Sequence, residues 1–363
     1  MFKKLIILLT GVALLLSGCN KIEISKEVSY SDGLIINRQE DFKIGEYENV
    51  KINDKSEIIL EDSALYGKYI SPVINTEEFE ELVASWNVNT PKETEIELSI
   101  QVKIEDEWSM WFSYGKWSES QYRGSVSNQS DRMANMSIDT LEVLLEKGAH
   151  AVKYCVELTR KEPDTPSPEV RNVFLALKLI EETKKVFAED GNYLVELDVP
   201  ERTQMLIPNI GNVICSPTSL SMVLEYYGYD MDTEEVAKKV LDKEANIYGN
   251  WSFNASYAGT KGLDAYVARY TSVDDIKEKI SKAIPVIASI KTKSEDILIG
   301  APQTYPSGHL IVVRGFTVKD GEEYIIVNDP AAPELETVRR EYQLSGFEKA
   351  WSKIVYILSP RLE

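Results

Sequence analysis

The hydrophobic positions change their period near residue 200. Before it, apolar residues alternate with polar ones over short runs, as in strands with one wet face. Residues 93–104, ETEIELSIQVKI, alternate without a break, and residues 107–117 form an aromatic-rich strand pair around Tyr114-Gly115. Residues 138–144, 151–158 and 170–179 are further strands, and residues 77–84 read as a helical turn. The loop 162–168, EPDTPSP, separates two strands rather than two domains. Short strands bounded by Asn, Gly and Pro predict an all-β sandwich over residues 41–186.

Residues 187–198 form a linker of turn, short strand and turn. In 199–363 the spacing becomes helical. The stretch 204–229 reads QMLIPNIGNVICSPTSLSMVLEYYGY. Pro217 suits a first helical turn, Leu220, Val223, Leu224 and Tyr227 recur on one face, and Gly228 is the stop. A second helix over 233–241 is capped by Asp232 or Thr233. A polar, aromatic segment follows at 248–262, then helix candidates at 263–270 and 273–283. Residues 285–290 form a buried strand, 295–307 a loop, and 309–316 and 324–328 two strands joined at Lys319-Asp320-Gly321. Helices first and strands later predict an α+β domain.

Composition narrows the chemistry. A formal charge of −19 excludes nucleic acid as the main partner and electrostatic adsorption to anionic lipid. Two histidines, His150 and His309, and three cysteines, Cys19, Cys155 and Cys215, with no CxxC or HExxH spacing, predict neither a metal site nor a cofactor. Lys3 and Lys4 precede the apolar run 5–16, which has the length of a secretion signal rather than of a membrane span. The following Leu16-Ser17-Gly18-Cys19 resembles the bacterial lipoprotein signal. That resemblance implies cleavage after residue 18, a lipid on Cys19 and a bilayer-anchored protein on the outer face of a bacterial cell membrane; the polar, charged stretch 19–40 reads as a tether. Outside the cell Cys155 and Cys215 could pair, although Cys155 shares a strand face with Lys153 and Glu157 and reads as a half-exposed, unused thiol. Trp86, Trp108, Trp111, Tyr114 and Trp117 either form a glycan-contact platform or fill the sandwich core, and the core reading is preferred.

Cys215 stands at the predicted helix N-terminus, where free N–H groups and the helix dipole favour the thiolate. A thiol nucleophile needs a base and an orienter. His309, which opens the strand HLIVVRGF, is the one histidine of this half. A three-residue hairpin with Gly321 in the left-handed position pairs Val318 with Glu322 and Ile311 with Asp329. Asp329 then lies diagonally beside His309 on the same face. A two-residue Asp320-Gly321 turn shifts the parity and presents Asn328 instead. Gln204 is a candidate oxyanion donor. Trp251, Phe253, Asn254 and Tyr257 line either a substrate cleft or an interdomain seam.

Gln204, Cys215 with SPTSLSMVLEYYG, GNWSFNASYAG, Gly308-His309 and Asn328-Asp329-Pro330 resemble the C39-like peptidases of the papain-like cysteine peptidase group over about 199–359. The resemblance implies a papain-like fold, with Cys215 as nucleophile, His309 as general base and acid, Asp329 as orienter and Gln204 as the oxyanion residue. Ser216 departs from the Gly that many relatives carry there. The first domain is similar to the β-sandwich that precedes such domains in secreted bacterial relatives. The expected activity is hydrolysis of peptide bonds in a peptide or protein. The competing readings are an amidase or transferase acting on cell-wall peptides and a silent binding lipoprotein.

Overall fold

The computed structural model describes residues 33–182, 186–187 and 191–361. The leader and Cys19 lie outside them. Two sheets organise the chain, and one apolar cluster runs through both without a break.

The first sheet has fourteen strands among the described residues. Two long strands hold it together. Ile74–Asn89 pairs along most of its length with Glu169–Leu179, while Ala149–Arg160 pairs with Thr94–Ile104 on one edge and Tyr66–Ile70 on the other. The two long strands meet at Ile74–Val152 and Phe79–Ala149, so the sheet turns a corner there. The alternation in Thr94–Ile104 is realised: Ile96, Leu98, Ile100, Val102 and Ile104 point inward and are buried. Trp86, Tyr114 and Trp117 are also buried, which removes them from any glycan platform. Trp108 and Trp111 stay half-buried beneath the Lys153 ammonium. The helical turn expected at 77–84 is instead part of the strand Ile74–Asn89. Residues 82–88 are buried on both faces because the second domain covers the outer one, and that double burial masks the period-two signal.

The second sheet is antiparallel, in the order Asp264–Arg269, Trp351–Ser359, Val286–Ile290, His309–Lys319, Glu322–Asn328, Arg339–Gln343. Helix α1 (Cys215–Tyr226) lies on it, and the Ser219 hydroxyl donates to the Leu310 carbonyl at 3.0 Å. Its end follows local rules. The Gly228 N–H donates to Glu225 and the Tyr229 N–H to Leu224, with Gly228 left-handed at φ 88°. Helix α2 (Thr233–Val240) is capped by the Asp232 carboxylate, and α3 (Trp251–Gly259) by the Asn250 amide. Helix α4 (Val273–Ser281) falls within the predicted range. The helix expected at 263–270 is the edge strand Asp264–Arg269.

That edge is covered by the first domain. Asn87 donates to the Ala265 carbonyl at 2.7 Å and accepts from its N–H at 3.2 Å, and the Val267 N–H donates to Ser85. Side chains of one domain thus satisfy the edge groups of the other, which would otherwise template pairing with a foreign strand. Phe253 of α3 sits beside Trp86 and Trp117, with ring centroids 6.2 and 5.4 Å apart. Burying that ring is worth about 2 kcal/mol. Phe253 is therefore a seam residue, and Asn254 and Tyr257 are buried on the same helix, with the Asn254 amide donating to the Tyr248 and Asn250 carbonyls. Trp251 is half-buried, and its backbone N–H donates to Asp139 of the first domain.

The hairpin corrects one expectation and preserves its consequence. Its turn has two residues, Asp320 and Gly321, both at positive φ, and Lys319 pairs with Glu322. That parity would bring Asn328 forward. A β-bulge between Val313 and Gly315 shifts the register back, so that Val312 pairs with Asn328 and Asp329 falls beside Ile311. Gly315 bridges to Glu196, and a Cβ there would stand 2.2 Å from the Val195 carbonyl oxygen. The bulge is where the segment around residue 196 docks.

Candidate active site

Cys215 is the first residue of α1. The preceding residue, Ile214, offers no side-chain cap, so the first N–H groups of the helix are open to an anion. The thiol is half-buried and forms no disulfide; Cys155 in the first domain is also a free thiol, but it is buried among its sheet neighbours rather than half-exposed as its strand pattern suggested. Burial alone would push the Cys215 thiol up. The His309 hydrogen bond and charge, with the Leu310 and Ser216 N–H groups, bring it below its ordinary value. Ser216, in the place of the usual Gly, turns inward and shares a hydrogen bond with the Tyr356 hydroxyl at 3.0 Å.

His309 begins its strand opposite Ile290. Its Nε2 donates to Asp329 Oδ1 at 2.8 Å, which leaves Nδ1 as the nitrogen that meets Cys215. Burial pulls the imidazolium down. The Asp329 charge and hydrogen bond, joined by the Cys215 thiolate, reverse this and raise its pKa to about 9. Cysteine and histidine are thus shifted in opposite senses, as a thiolate–imidazolium pair requires.

Asp329 follows the last residue of the strand Glu322–Asn328, and its backbone N–H donates to Val338. The side chain is fully buried and accepts four hydrogen bonds. His309 and the Ala331 N–H (3.0 Å) reach Oδ1; the Tyr305 (2.8 Å) and Tyr342 (2.9 Å) hydroxyls reach Oδ2. Burial raises its pKa, and the His309 charge with these bonds brings the carboxyl below its usual range. The Tyr305 ring also stacks on the imidazole, with centroids 4.0 Å apart and planes 9° from parallel. Neither tyrosine was expected from the sequence. Tyr305 sits in a loop and Tyr342 in an edge strand, and no spacing rule links them to Asp329.

Asn328 faces away from His309. Its oxygen accepts from Arg314 at 2.9 Å, and its amide donates to the Val199 and Pro200 carbonyls. Gln204 is buried, with its Nε2 donating to the Gly211 carbonyl at 2.6 Å and its Oε1 unpartnered. Its backbone N–H donates to Pro330, which ties the nucleophile loop to the segment after Asp329. The Gln204 amide thus holds the loop.

The structure therefore brings Cys215, His309 and Asp329 together, sets Trp251 and Phe253 against the first domain, and buries Asn254 and Tyr257 on the same helix. Such a set can deliver a thiolate to a carbonyl carbon and a proton to a leaving amine. Among the described residues no group of three His, Cys, Asp or Glu side chains is placed to hold a metal ion.

Comparison with known proteins assigns both halves of the chain to families. Residues 196–358 match the Peptidase_C39 like family, and residues 31–177 match the Peptidase C39 N-terminal domain. The chain is 25% identical over 189 residues to an uncharacterised Bacillus subtilis protein, YvpB, across 44% of this chain and 72% of that one. A putative C39-like peptidase from Bacillus anthracis aligns at 17% identity over 47% of this chain and 100% of its own, with a TM-score of 0.35. A double glycine motif protease from an AMS/PCAT transporter, solved with its leader peptide, aligns at 22% identity over 48% and 97%, with a TM-score of 0.31. The chain carries a C39-like peptidase domain behind a C39 N-terminal domain.

Proposed function

We propose that this C39-type chain is a cysteine peptidase whose Cys215 thiolate attacks the carbonyl of a peptide bond. The observation that carries the reading is the line from the half-buried Cys215, at the N-terminus of α1, through buried His309 to buried Asp329. His309 holds the proton taken from the thiol at Nδ1 and gives it to the departing amine; a water molecule, activated by the same ring, then releases the acyl group. Asp329 fixes the ring with Nδ1 toward the sulfur. The developing oxyanion is met by the Cys215 backbone N–H and by the Gln204 amide. We read the catalytic half as papain-like and the first domain as a β-sandwich that braces it.

The leader supports a location. Lys3, Lys4, the apolar run 5–16 and Leu16-Ser17-Gly18-Cys19 fit a lipid on Cys19 and a peptidase held on the outer face of a bacterial membrane. Metabolic labelling with a fatty-acid analogue tests this: label lost in Cys19→Ala supports it, and equal label rejects it.

The test of the activity is a peptide bearing a thiol-reactive warhead. We expect the reduced protein to be labelled at Cys215 and Cys215→Ala to be silent. Absence of label on the wild type, or equal label on the variant, overturns the proposal. A peptide library applied to the mature protein then defines what is cut, with cell-wall peptides included to separate the amidase reading.

A further inference from the structure

Asp329 is bonded on both sides of its carboxylate, but only one side faces the reacting pair. Oδ1 receives His309 and the Ala331 N–H; Oδ2 receives the Tyr305 and Tyr342 hydroxyls. Both phenols are buried. They come from different places, a loop before His309 and the edge strand Arg339–Gln343, and converge on one oxygen. Tyr305 makes a second contact, lying flat on the His309 ring.

We propose that Tyr305 and Tyr342 are positioning residues for the Cys215–His309 pair: they hold Asp329 by its second oxygen, fix the plane of the imidazole, and keep the carboxylate from binding the imidazolium too tightly to release its proton. The inference rests on Cys215 and His309 being the reactive pair. A hydroxyl that donates to Oδ2 points the positive end of its dipole at the carboxylate and draws charge away from Oδ1. His309 therefore faces a weaker anion than a bare carboxylate would be. The stack under the imidazole excludes water from that face and leaves the ring one plane in which Nε2 meets Asp329 and Nδ1 meets the sulfur. A purely structural tyrosine would affect folding and the amount of active protein. It would not move the pH at which His309 gives up its proton.

NMR titration of protein carrying ring-labelled histidine reads this pair without any substrate, with His150→Gln to assign the two rings. Tyr305→Phe retains the stacked ring and removes the hydroxyl, and Tyr342→Phe removes the other donor. Each is expected to move the His309 midpoint upward by about half a pH unit or more, with the double variant moving further. Asp329→Asn, which removes the charge, is the control and moves the same midpoint downward. Cooperative melting of each variant confirms its fold, and because both phenols reach the same oxygen, either single variant suffices if the other does not fold. Midpoints that stay in place or move down in folded Tyr→Phe variants overturn the proposal. If instead the His309 midpoint is the same in Cys215→Ala as in the wild type, the reactive-pair reading has failed, and that outcome is distinct from the failure of the phenol proposal.

Discussion

Replacing Asp329 by Asn removes one charge and almost no volume, and the structure sets the size of the effect. In the folded protein His309 is raised from 6.5 to about 9, and the Asp329 charge is the first of the favourable causes acting against burial. Without that charge, burial acts unopposed except by the sulfur, so the imidazole falls toward or below its ordinary range. The difference is about 2.5 pH units, or about 3 kcal/mol of support for the imidazolium. An Asn oxygen still accepts from Nε2, and the two tyrosine hydroxyls can turn to accept from its amide, so the geometry is retained while the charge is lost. The sign follows directly. A folded pKa above the unfolded one gives stability that is complete below pH 6.5 and is lost as pH rises through about 9. The wild type should therefore lose melting temperature across that window, and the variant should not. By NMR titration of the labelled imidazole, the His309 midpoint should drop from near pH 9 to about 6.5 or lower. With iodoacetamide at pH 8 the variant should react several-fold to roughly tenfold more slowly, because a thiol at its ordinary value of 9.0 is only about a tenth ionised there. An Asp329→Asn imidazole that still titrates near pH 9 refutes the argument that Asp329 sustains the pair.

Three further outcomes follow from the same geometry. In the Cys19→Ala/Cys215→Ala double variant at neutral pH, thiol reagents should leave the folded chain unmodified, because burial pushes the Cys155 thiol up to about 12; modification detected by intact mass would contradict this. Asn87→Ala should destabilise the whole chain by about 2–4 kcal/mol, since it leaves the Ala265 N–H and carbonyl unpaired in a fully buried seam; an unchanged denaturant midpoint would show that the domains do not support one another. Asp139→Asn should stabilise the protein by roughly 2–4 kcal/mol above pH 7 and have little effect near pH 4, because burial raises this carboxyl from 3.8 to about 7 and native stability falls as it ionises; equal melting shifts at both pH values would exclude that cause.

Local sequence determined what depends on a few neighbouring residues. Pro217 and Gly228 mark the first turn and the stop of α1, Asp232 caps α2, and alternation from Thr94 to Ile104 defines a strand, because each is settled by backbone sterics or by one wet face. Cys215 and His309 were legible as a pair because their residue types are scarce and their contexts specific. Tertiary structure decided the rest. The strands Ile74–Asn89 and Asp264–Arg269 are concealed in sequence because each borrows its burial from the other domain, which erases the polar face that periodicity needs. Asp329 rather than Asn328 reaches His309 because a bulge beside Gly315, where a distant segment docks, resets the register after a two-residue turn. The phenols of Tyr305 and Tyr342 meet on one carboxylate oxygen only once the sheet is assembled. Spacing along the chain encodes faces and caps; convergence of distant side chains on one atom is fixed only by packing.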